Sequence, residues 1–385
     1  MQNFDFYNPT RVIFGEGTIA RLDELVPADA RVLVLYGGGS AERNGTLAEV
    51  QAALGQRSVQ RFGGIEPNPS YETLMKAVEL IRREGLDFLL AVGGGSVIDG
   101  TKFVAAAVNH AGDPWEILQT RGKSVASALP LGCVLTLPAT GSEMNCAAVV
   151  TRRSLNAKIG FFSRHVFPRF SVLDPVKTYT LPPRQIANGV VDAFVHVAEQ
   201  YLTYPVNAAV QDRYAESLLQ TLIEVGPQAL AAPQDYDVRA NLMWAATQAL
   251  SGPAGAGVPQ DWATHMIGHE ITALHGLDHA QTLAIVLPAL LAERRAPKRA
   301  KLLQYAERVW KLHEGDEDAR IDAAIARTRE FFESLGVKTR LADYGIGADA
   351  IDALVAQLEA HGMTAIGEHR DLDLATSRRI LEACL

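Results

Sequence analysis

Three short apolar runs in the first half of the chain most constrain its fold. They are RVLVLY at 31–36, DFLLAV at 87–92 and GCVLTLP at 132–138, and glycine or proline follows each. Continuous apolar runs of this length are typical of buried parallel strands. Helical patterns separate them, such as YETLMKAVELIRREG at 71–85, which a glycine closes. Strands that alternate with helices predict an α/β domain with a Rossmann-like parallel sheet.

The pattern changes after LDPVKTYTLPPRQ at 173–185, where three prolines mark a boundary. At 385 residues, the chain is also long for a single core. We therefore expect an N-terminal α/β domain over residues 1–180 and an all-helical domain over 181–385. The helical segments predicted from the apolar periodicity are 184–203, 205–231, 236–250, 260–275, 279–294, 297–312, 318–335 and 347–360.

Charge and composition exclude several classes of function. The formal charge of −8 argues against nucleic acid as a partner. No apolar run is long enough to predict a transmembrane helix, and the N-terminus lacks the basic and apolar regions of a signal peptide. The three cysteines are odd in number and far apart, which fits a reducing compartment. We expect a cytoplasmic protein without a nucleic-acid or membrane partner.

Two glycine-rich turns follow predicted strands, at 37–40 and 93–96. Glycines let the backbone approach a phosphate, and the free N–H groups of a following helix point toward it. In the second turn we expect Ser96 to cap the helix, with Asp99 at its N3 position. A plain tight turn is the alternative for either one, since neither has the dinucleotide-binding spacing. Two such turns in one α/β domain favour a bound dinucleotide.

The first turn favours NADP(H) over NAD(H). Enzymes specific for NAD usually place an acidic residue on the adenosine ribose, whereas a 2′-phosphate requires that charge to be absent. The segment YGGGSAERNG has no acidic residue before Glu42, and it offers Ser40 with Arg43 nearby. A 2′-phosphate would be tolerated there.

Polar side chains follow the third apolar run, in TLPATGSEMN. They are Thr136, Thr140, Ser142 and Asn145. Ligands of open parallel sheets bind outside the carboxyl ends of the strands, which makes these residues candidates for a binding site. Capping of the loop by threonine and serine is the alternative.

Four of the ten histidines lie within HMIGHEITALHGLDHA: His265, His269, His275 and His279. Imidazole is the commonest metal ligand in proteins. The first two histidines are four residues apart, and so are the last two, so each pair could share one helix face. The sequence therefore predicts a metal site without deciding which histidines are ligands.

Asp192 and His196 form a third pair with the same spacing. Spacing alone would choose these two residues with His265 and His269 as the four ligands of a tetrahedral site. An ion pair without a metal is the alternative for an isolated pair of this kind.

A different set of ligands needs a break in the last helical segment. In one continuous helix, His265 and His279 would be about 21 Å apart, whereas two ligands of one metal lie only about 4 Å apart. Gly276 is suited to end the first helix, and Asp278 could cap a second helix that begins at His279. The turn that would let the two histidines share an ion is therefore available.

With these motifs, the chain resembles the iron-containing (group III) alcohol dehydrogenases, and within them the NADPH-dependent aldehyde reductases or butanol dehydrogenases of bacteria. The resemblance covers nearly the whole length, and its most specific motifs are VLDPVKTYTLPPRQIANGVVDAFVHVAEQYLT and GVPQDWATHMIGHEITALHGLDHAQTLA. It implies a Rossmann-like domain, a helical domain and a cleft between them. It also implies a homodimer, which could pair N-terminal edge strands such as FDFYN.

The resemblance assigns roles to individual residues. The implied metal ligands are Asp192, His196, His265 and His279, for either Fe²⁺ or Zn²⁺. His269 then corresponds to an unligated histidine near the nicotinamide, a candidate catalytic proton relay, and His275 has no role. Many NAD-specific relatives carry aspartate where this chain has Gly39, which again favours NADP(H). The implied cofactor-binding residues are Gly37, Gly38, Gly39, Ser40, Asn68, Gly93, Gly94, Gly95, Ser96, Asp99, Thr136, Thr140, Asn145 and Lys158.

The function implied is an NADP(H)-dependent oxidoreductase that reduces short and medium-chain aldehydes to primary alcohols. In this hypothesis the metal polarises the substrate carbonyl, and the cofactor supplies the hydride. One alternative is a metal- and NAD-dependent lyase of the dehydroquinate synthase type, but the expected ligand helices offer no lysine or arginine for a phosphate. Another is a non-enzymatic metal sensor, which would have no use for two phosphate-binding turns.

Overall fold

The three predicted strands lie side by side at the centre of a six-stranded parallel sheet. The computed structural model describes residues Met1–Leu385. The sheet has the strand order β1-β8-β5-β4-β2-β3, and a separate antiparallel pair is formed by β6 and β7. The strands are β1 (Arg11–Phe14), β2 (Arg31–Tyr36), β3 (Ser58–Phe62), β4 (Phe88–Gly94), β5 (Leu131–Leu137), β6 (Ala147–Arg152), β7 (Ala157–Phe162) and β8 (Phe170–Leu173).

Burial explains which strands the sequence revealed. Every residue of β4 and β5 except the last is buried, so both strands form continuous apolar runs. The edge strand β3, with the sequence SVQRF, has no buried residue and carries polar side chains. The predicted parallel sheet is confirmed, but its short strands and its polar edge strand were not predicted.

Helices cover both faces of the sheet. Leu33, Leu35 and Leu89 belong to one core cluster, while Val32 and Val34 belong to the other, so successive side chains of a strand point to opposite faces. The helices of this half are α1 (Leu22–Leu25), α2 (Ser40–Arg43), α3 (Thr46–Leu54), α4 (Tyr71–Glu84), α5 (Gly95–Ala107) and α6 (Glu116–Gln119). The predicted helix at 71–85 is confirmed: α4 ends before Gly85, which is left-handed with φ 63°.

The second half of the chain is helical, as predicted. Each of the eight predicted segments overlaps one α-helix, and the last helix, α15, was not predicted. The helices are α7 (Pro183–Tyr201), α8 (Ala209–Ala231), α9 (Tyr236–Ala249), α10 (Ala263–His275), α11 (His279–Glu293), α12 (Arg295–Arg308), α13 (Glu317–Ser334), α14 (Ile351–Ala360) and α15 (Leu374–Ala383). None of these helices combines the length and the apolar character needed to cross a bilayer.

The chain forms two compact units that are discontinuous in sequence. The sheet unit consists of Tyr7–Leu181 and Pro233–Thr247. The helical unit consists of Met1–Phe6, Pro182–Ala232 and Gln248–Leu385. Most of α9 therefore belongs to the sheet unit.

Two contacts show how α9 is integrated into the sheet unit. Met243 lies fully buried in one of the sheet's core clusters. Thr247 donates a hydrogen bond of 2.6 Å from its hydroxyl to the buried carboxylate of Glu143. The helix thus contributes both apolar and polar contacts to the interior of this unit.

The N-terminal segment FDFYN is not a strand in this structure, because the first strand begins only at Arg11. The expectation of an edge strand there was wrong. Phe4 and Phe6 are instead irregular in conformation and each is 51% exposed.

Candidate metal and cofactor sites

The two glycine turns and the polar residues after the third strand lie at one edge of the sheet. Strand β2 runs parallel to β4, with Tyr36 opposite Val92, and β4 runs parallel to β5. Parallel strands end at the same edge, so the turns at 37–40 and 93–96 and the loop after Leu137 follow neighbouring strand ends. This is the edge at which ligands bind in open parallel sheets.

The second turn needs its glycines because other parts of the chain approach it closely. A Cβ atom on Gly93 would lie 2.6 Å from the side chain of Val97, and one on Gly94 would lie 2.9 Å from Leu137. On Gly95, a Cβ atom would lie 2.4 Å from Thr140. Any side chain here would therefore displace the turn, the start of α5 or the Thr140 loop.

The expectation that Ser96 caps α5 was wrong. The helix begins at Gly95 with Gly94 as its N-cap, and no side chain caps it. Ser96 already lies in the first turn, where its hydroxyl accepts a hydrogen bond of 3.3 Å from the backbone N–H of Asn68. The helix therefore begins two residues earlier than capping by Ser96 would require.

Asp99 contacts the next loop rather than its own helix terminus. Its carboxylate accepts hydrogen bonds from the Ser142 hydroxyl at 2.6 Å and from the Val149 N–H at 2.8 Å. Burial raises the pKa of Asp99, and the nearby Lys102 ammonium opposes that rise. The residue joins α5 to the loop that follows β5.

Lys102 completes this junction and was missed by the sequence analysis. Its ammonium is fully buried and donates to the Ser142 hydroxyl at 2.9 Å, the Asn145 side-chain oxygen at 3.0 Å and the Ala147 carbonyl at 2.8 Å. Burial lowers the pKa of Lys102, and Asp99 opposes this shift. A lone lysine among the apolar residues of GSVIDGTKFVAAA was the available signal.

Asn68 and Lys158 meet although 90 positions separate them. The Lys158 ammonium donates a hydrogen bond of 2.9 Å to the side-chain oxygen of Asn68. Asn68 itself has a left-handed backbone, with φ 54°. Because Asn68 also contacts Ser96, three of the predicted cofactor residues form one connected group. Thr136, another of them, lies in β5 and is 8% exposed.

The first turn differs from the second in the space around it. No atom lies within 4 Å of the position that a Cβ on Gly38 would take. Gly39 is left-handed, with φ 93°, and the guanidinium of Arg43 lies 3.2 Å from its Cβ position. The helix that starts at Ser40 has only four residues. This turn therefore offers open space and a positive charge, whereas the second leads directly into a 13-residue helix.

Three of the predicted metal ligands lie together in the helical unit. Asp192, His265 and His279 each offer a ligand atom, and these atoms lie within 4.8 Å of one another. They come from helices α7, α10 and α11. His196 is adjacent to the cluster: its Nδ1 lies 3.5 Å from Asp192 Oδ1, and its ring stacks on His265 with centroids 4.6 Å apart.

The break between α10 and α11 makes this cluster possible. Gly276 ends α10 in the left-handed conformation, with φ 72°. Asp278 is the N-cap of α11, and Gln281 accepts its backbone N–H at 3.1 Å. The chain therefore turns back as predicted, and the rings of His265 and His279 have centroids 5.1 Å apart.

The other two histidines of the segment lie differently. The ring of His269 is 5.2 Å from that of His279 and 6.3 Å from that of His265, and the residue is partly exposed. His275 is the exposed last residue of α10. The cluster of three thus includes His279, whereas helical spacing alone would have chosen His269.

The cluster has the chemistry of a site for a divalent metal. Asp192, His196 and His265 are all more than 90% buried. Burial lowers the pKa of His196 to about 4, although the Asp192 carboxylate opposes the shift, so the imidazole is neutral at pH 7. One carboxylate with neutral imidazoles is a ligand set suited to Fe²⁺ or Zn²⁺.

Glu199 is a residue of this site that the sequence analysis missed. Its carboxylate binds His265 Nδ1 through one oxygen and accepts the Thr264 N–H at 2.6 Å through the other. It follows His196 by three positions and Asp192 by seven, which places it on the same face of α7. Its position three residues after His196 is the sequence signal that indicates it.

Comparison with known proteins agrees with this geometry. Residues 9–175 match the family model "Iron-containing alcohol dehydrogenase", and residues 186–383 match "Fe-containing alcohol dehydrogenase family, C-terminal". The chain is 65% identical, over the full length of both proteins, to the NADPH-dependent aldehyde reductase YqhD of Escherichia coli K12. It is 41% identical, also over both full lengths, to the probable NADH-dependent butanol dehydrogenase 1 of Bacillus subtilis 168.

The same relation holds in three dimensions. The crystal structure of E. coli K-12 YqhD superposes with a TM-score of 0.99 at 64% identity, covering 100% of this chain and 99% of that one. The resemblance inferred from the motifs is therefore confirmed along the whole length. The chain belongs to the iron-containing alcohol dehydrogenase family.

Proposed function

We propose that this chain is an NADPH-dependent aldehyde reductase that converts aldehydes to primary alcohols, with short and medium-chain aldehydes as its broad substrate class. The observation that carries the proposal is the cluster of Asp192, His265 and His279, in a chain 65% identical along its full length to an aldehyde reductase. Residues 1–180 would form the cofactor-binding domain, and residues 181–385 the metal-binding domain.

The metal site would consist of Asp192, His196, His265 and His279, with Fe²⁺ or Zn²⁺ as the ion. The support is the burial of Asp192, His196 and His265, the short distances among the four side chains and the neutral imidazole of His196. When bound, the metal supplies a Lewis acid for the carbonyl oxygen, and the nicotinamide supplies the hydride. The protein's own contribution is to align the reactants and exclude water.

The cofactor would lie along the edge of the sheet that carries both glycine turns. The 2′-phosphate would occupy the first turn, where Gly38 faces open space and Arg43 approaches Gly39. The second turn would face the pyrophosphate. The remaining proposed contacts are the Asn68, Ser96 and Lys158 group, Asp99, Thr136, Thr140 and Asn145.

Steady-state turnover of butanal tests this function. We expect NADPH oxidation with a kcat/KM at least about tenfold above that with NADH, because a contact with a charged phosphate contributes about 1.5–3 kcal/mol. Arg43→Gln should reduce this preference while leaving the kcat/KM with NADH nearly unchanged. Equal kcat/KM values for the two cofactors would contradict the assignment of the first turn.

His269 would hold and deliver the proton for the alcohol. The partly exposed imidazole lies beside His279, with ring centroids 5.2 Å apart, and histidine is the side chain most often used for general acid catalysis. His269→Ala should retain the metal and lower kcat about a hundredfold, the usual contribution of a general acid. Loss of the metal, measured by elemental analysis of the same preparation, would instead identify His269 as a ligand.

The lyase alternative lacks support in the ligand helices. Helix α10 carries no lysine or arginine, and the only one on α7 is Arg184. Arg184 is paired with Asp278 at 3.0 Å. Neither helix therefore provides a group of lysine and arginine side chains that could bind a sugar phosphate.

We further propose a homodimer in a reducing cytoplasm. The exposed Phe4 and Phe6, two positions apart near the N-terminus, support self-association, since exposed apolar surface is a feature of interaction sites. All three cysteines are free thiols, which fits a reducing compartment. Sedimentation of the purified protein distinguishes the 41.6 kDa monomer from the dimer.

A further inference from the structure

Glu199 on α7 contacts the start of α10 through both of its carboxylate oxygens. It lies on α7 and is 2% exposed. One oxygen binds Nδ1 of His265, and the other accepts the backbone N–H of Thr264 at 2.6 Å. The carboxylate therefore contacts the first turn of α10 and a proposed metal ligand on that turn at the same time.

A buried ionic cluster fixes the chain segment that leads into α10. The backbone N–H of Asp261 donates to the Glu199 carbonyl at 2.9 Å. The Asp261 carboxylate is 2.8 Å from the ammonium of Lys298, which also binds Glu368 at 2.7 Å. The side chains of all three charged residues are at most 3% exposed. Such closed pairs hold their geometry because breaking one leaves a buried charge alone.

The contact to His265 determines which imidazole nitrogen carries the proton. The Glu199 carboxylate occupies Nδ1 of His265. Burial raises the pKa of Glu199, whereas the hydrogen bond from Thr264 and the Lys298 ammonium oppose that rise. In its ionised form the carboxylate only accepts hydrogen bonds, so Nδ1 of His265 then carries the hydrogen. The lone pair of the neutral ring then resides on Nε2, which is the only nitrogen left to bind a metal. Carboxylates that bind the second nitrogen of a metal-bound histidine orient the ring and raise its basicity.

We propose that Glu199 is a positioning residue of the metal site, which fixes the tautomer and ring orientation of His265 so that Nε2 is the ligand atom. This inference rests on the proposed metal site. It assigns Glu199 a role in metal affinity rather than only in the packing of α7 against α10.

The donor pattern around Glu199 makes glutamine an informative substitution. The N–H of Thr264 needs an acceptor, so the oxygen of a glutamine at 199 would face Thr264. Its NH₂ group would then face Nδ1 of His265 and force the proton onto Nε2. Glu199→Gln keeps the shape of the side chain but removes the lone pair that would bind the metal.

The test measures Zn²⁺ affinity of the metal-free full-length protein by competition with a chromophoric chelator. We expect Glu199→Gln to weaken Zn²⁺ binding about 10- to 100-fold, the usual effect of losing such a partner. Thermal unfolding of the metal-free form serves as the second readout. Its midpoint should change much less than the midpoint of the Zn²⁺-loaded form, because the substitution is isosteric.

Glu199→Asp separates positioning from packing. Aspartate leaves a gap in a buried site but retains an acceptor-only carboxylate. We expect it to bind Zn²⁺ more tightly than Glu199→Gln despite the poorer packing. If the glutamine variant binds as tightly as the wild type, or more tightly than the aspartate variant, Glu199 only fills space and the inference is wrong.

Two further variants complete the comparison. Glu270→Gln is the matched control, because Glu270 is a buried carboxylate on α10 that binds His361, which is not a proposed ligand, at 2.8 Å. It should leave Zn²⁺ affinity within about twofold of the wild type. His265→Ala should abolish binding. Undiminished binding in His265→Ala would refute the metal site itself, whereas loss there with normal binding in Glu199→Gln would refute only the role of Glu199.

Discussion

His265→Ala should yield protein without bound metal. Its kcat/KM for aldehyde reduction should be at least about a thousandfold lower, because the metal no longer stabilises the transition state by several kcal/mol. The substitution removes one of the three side chains whose ligand atoms lie within 4.8 Å of one another. It also leaves the buried carboxylate of Glu199 without its histidine partner, which further disfavours the arrangement of the site. Elemental analysis and steady-state kinetics on one preparation measure both effects.

His275→Ala is the control for this experiment. His275 lies in the same segment but is exposed at the end of α10, so its removal should change neither metal content nor kcat/KM. Full activity of the metal-free His265→Ala protein would exclude a Lewis-acid role for the metal. His269→Ala, with its metal retained, would then separate proton delivery from metal binding.

Gly95→Ala should destabilise the sheet unit and abolish measurable NADPH binding. The added Cβ would lie 2.4 Å from Thr140, a distance that real side chains essentially never adopt. Overpacking of this kind costs about 1–3 kcal/mol. To remove this clash, either the turn or the loop that carries Thr140 must shift, and both are proposed to contact the cofactor. Thermal unfolding and NADPH fluorescence titration measure the two effects.

Gly38→Ala makes the same chemical change where the structure has room. No atom lies within 4 Å of the new Cβ, so the free energy of unfolding should stay within about 0.5 kcal/mol of the wild type. The new methyl group would nevertheless enter the space proposed for the 2′-phosphate, and KM for NADPH should rise. An unchanged KM would place the cofactor elsewhere, and an unchanged unfolding free energy in Gly95→Ala would contradict the packing argument.

The fold was predictable where burial leaves a strong pattern in the sequence. Strand β4 is buried on both faces, so every position is apolar or glycine and the run is unmistakable. Strand β3 lies at the edge with no buried residue, and three of its five side chains are polar, as in a loop. The four-residue strands β1 and β8 are too short to show a period. Their place in the sheet depends on pairing with distant strands, which local sequence does not encode.

The site was only partly predictable for a related reason. Helical spacing relates residues on one helix, so it paired His265 with His269. The cluster of three depends on the approach of separate helices, which Gly276 permits but does not specify. Ser96 is not the cap because α5 already begins at Gly95, which packs closely against Thr140. Such contacts arise only once the chain has folded.

The discontinuity of the two units also bears on synthesis by the ribosome. The sheet unit includes Pro233–Thr247, so its core cannot close until α9 has emerged, well after the last strand has been made. Until then Glu143 lacks the hydroxyl of Thr247, and the core lacks Met243. Domains generally fold as units during translation, starting from the N-terminus. Here more than 60 further residues, from Leu181 to Thr247, must be synthesised before the core of the sheet unit is complete. A gene fragment that stops at Leu181 would therefore encode all six strands of the sheet but an incomplete core.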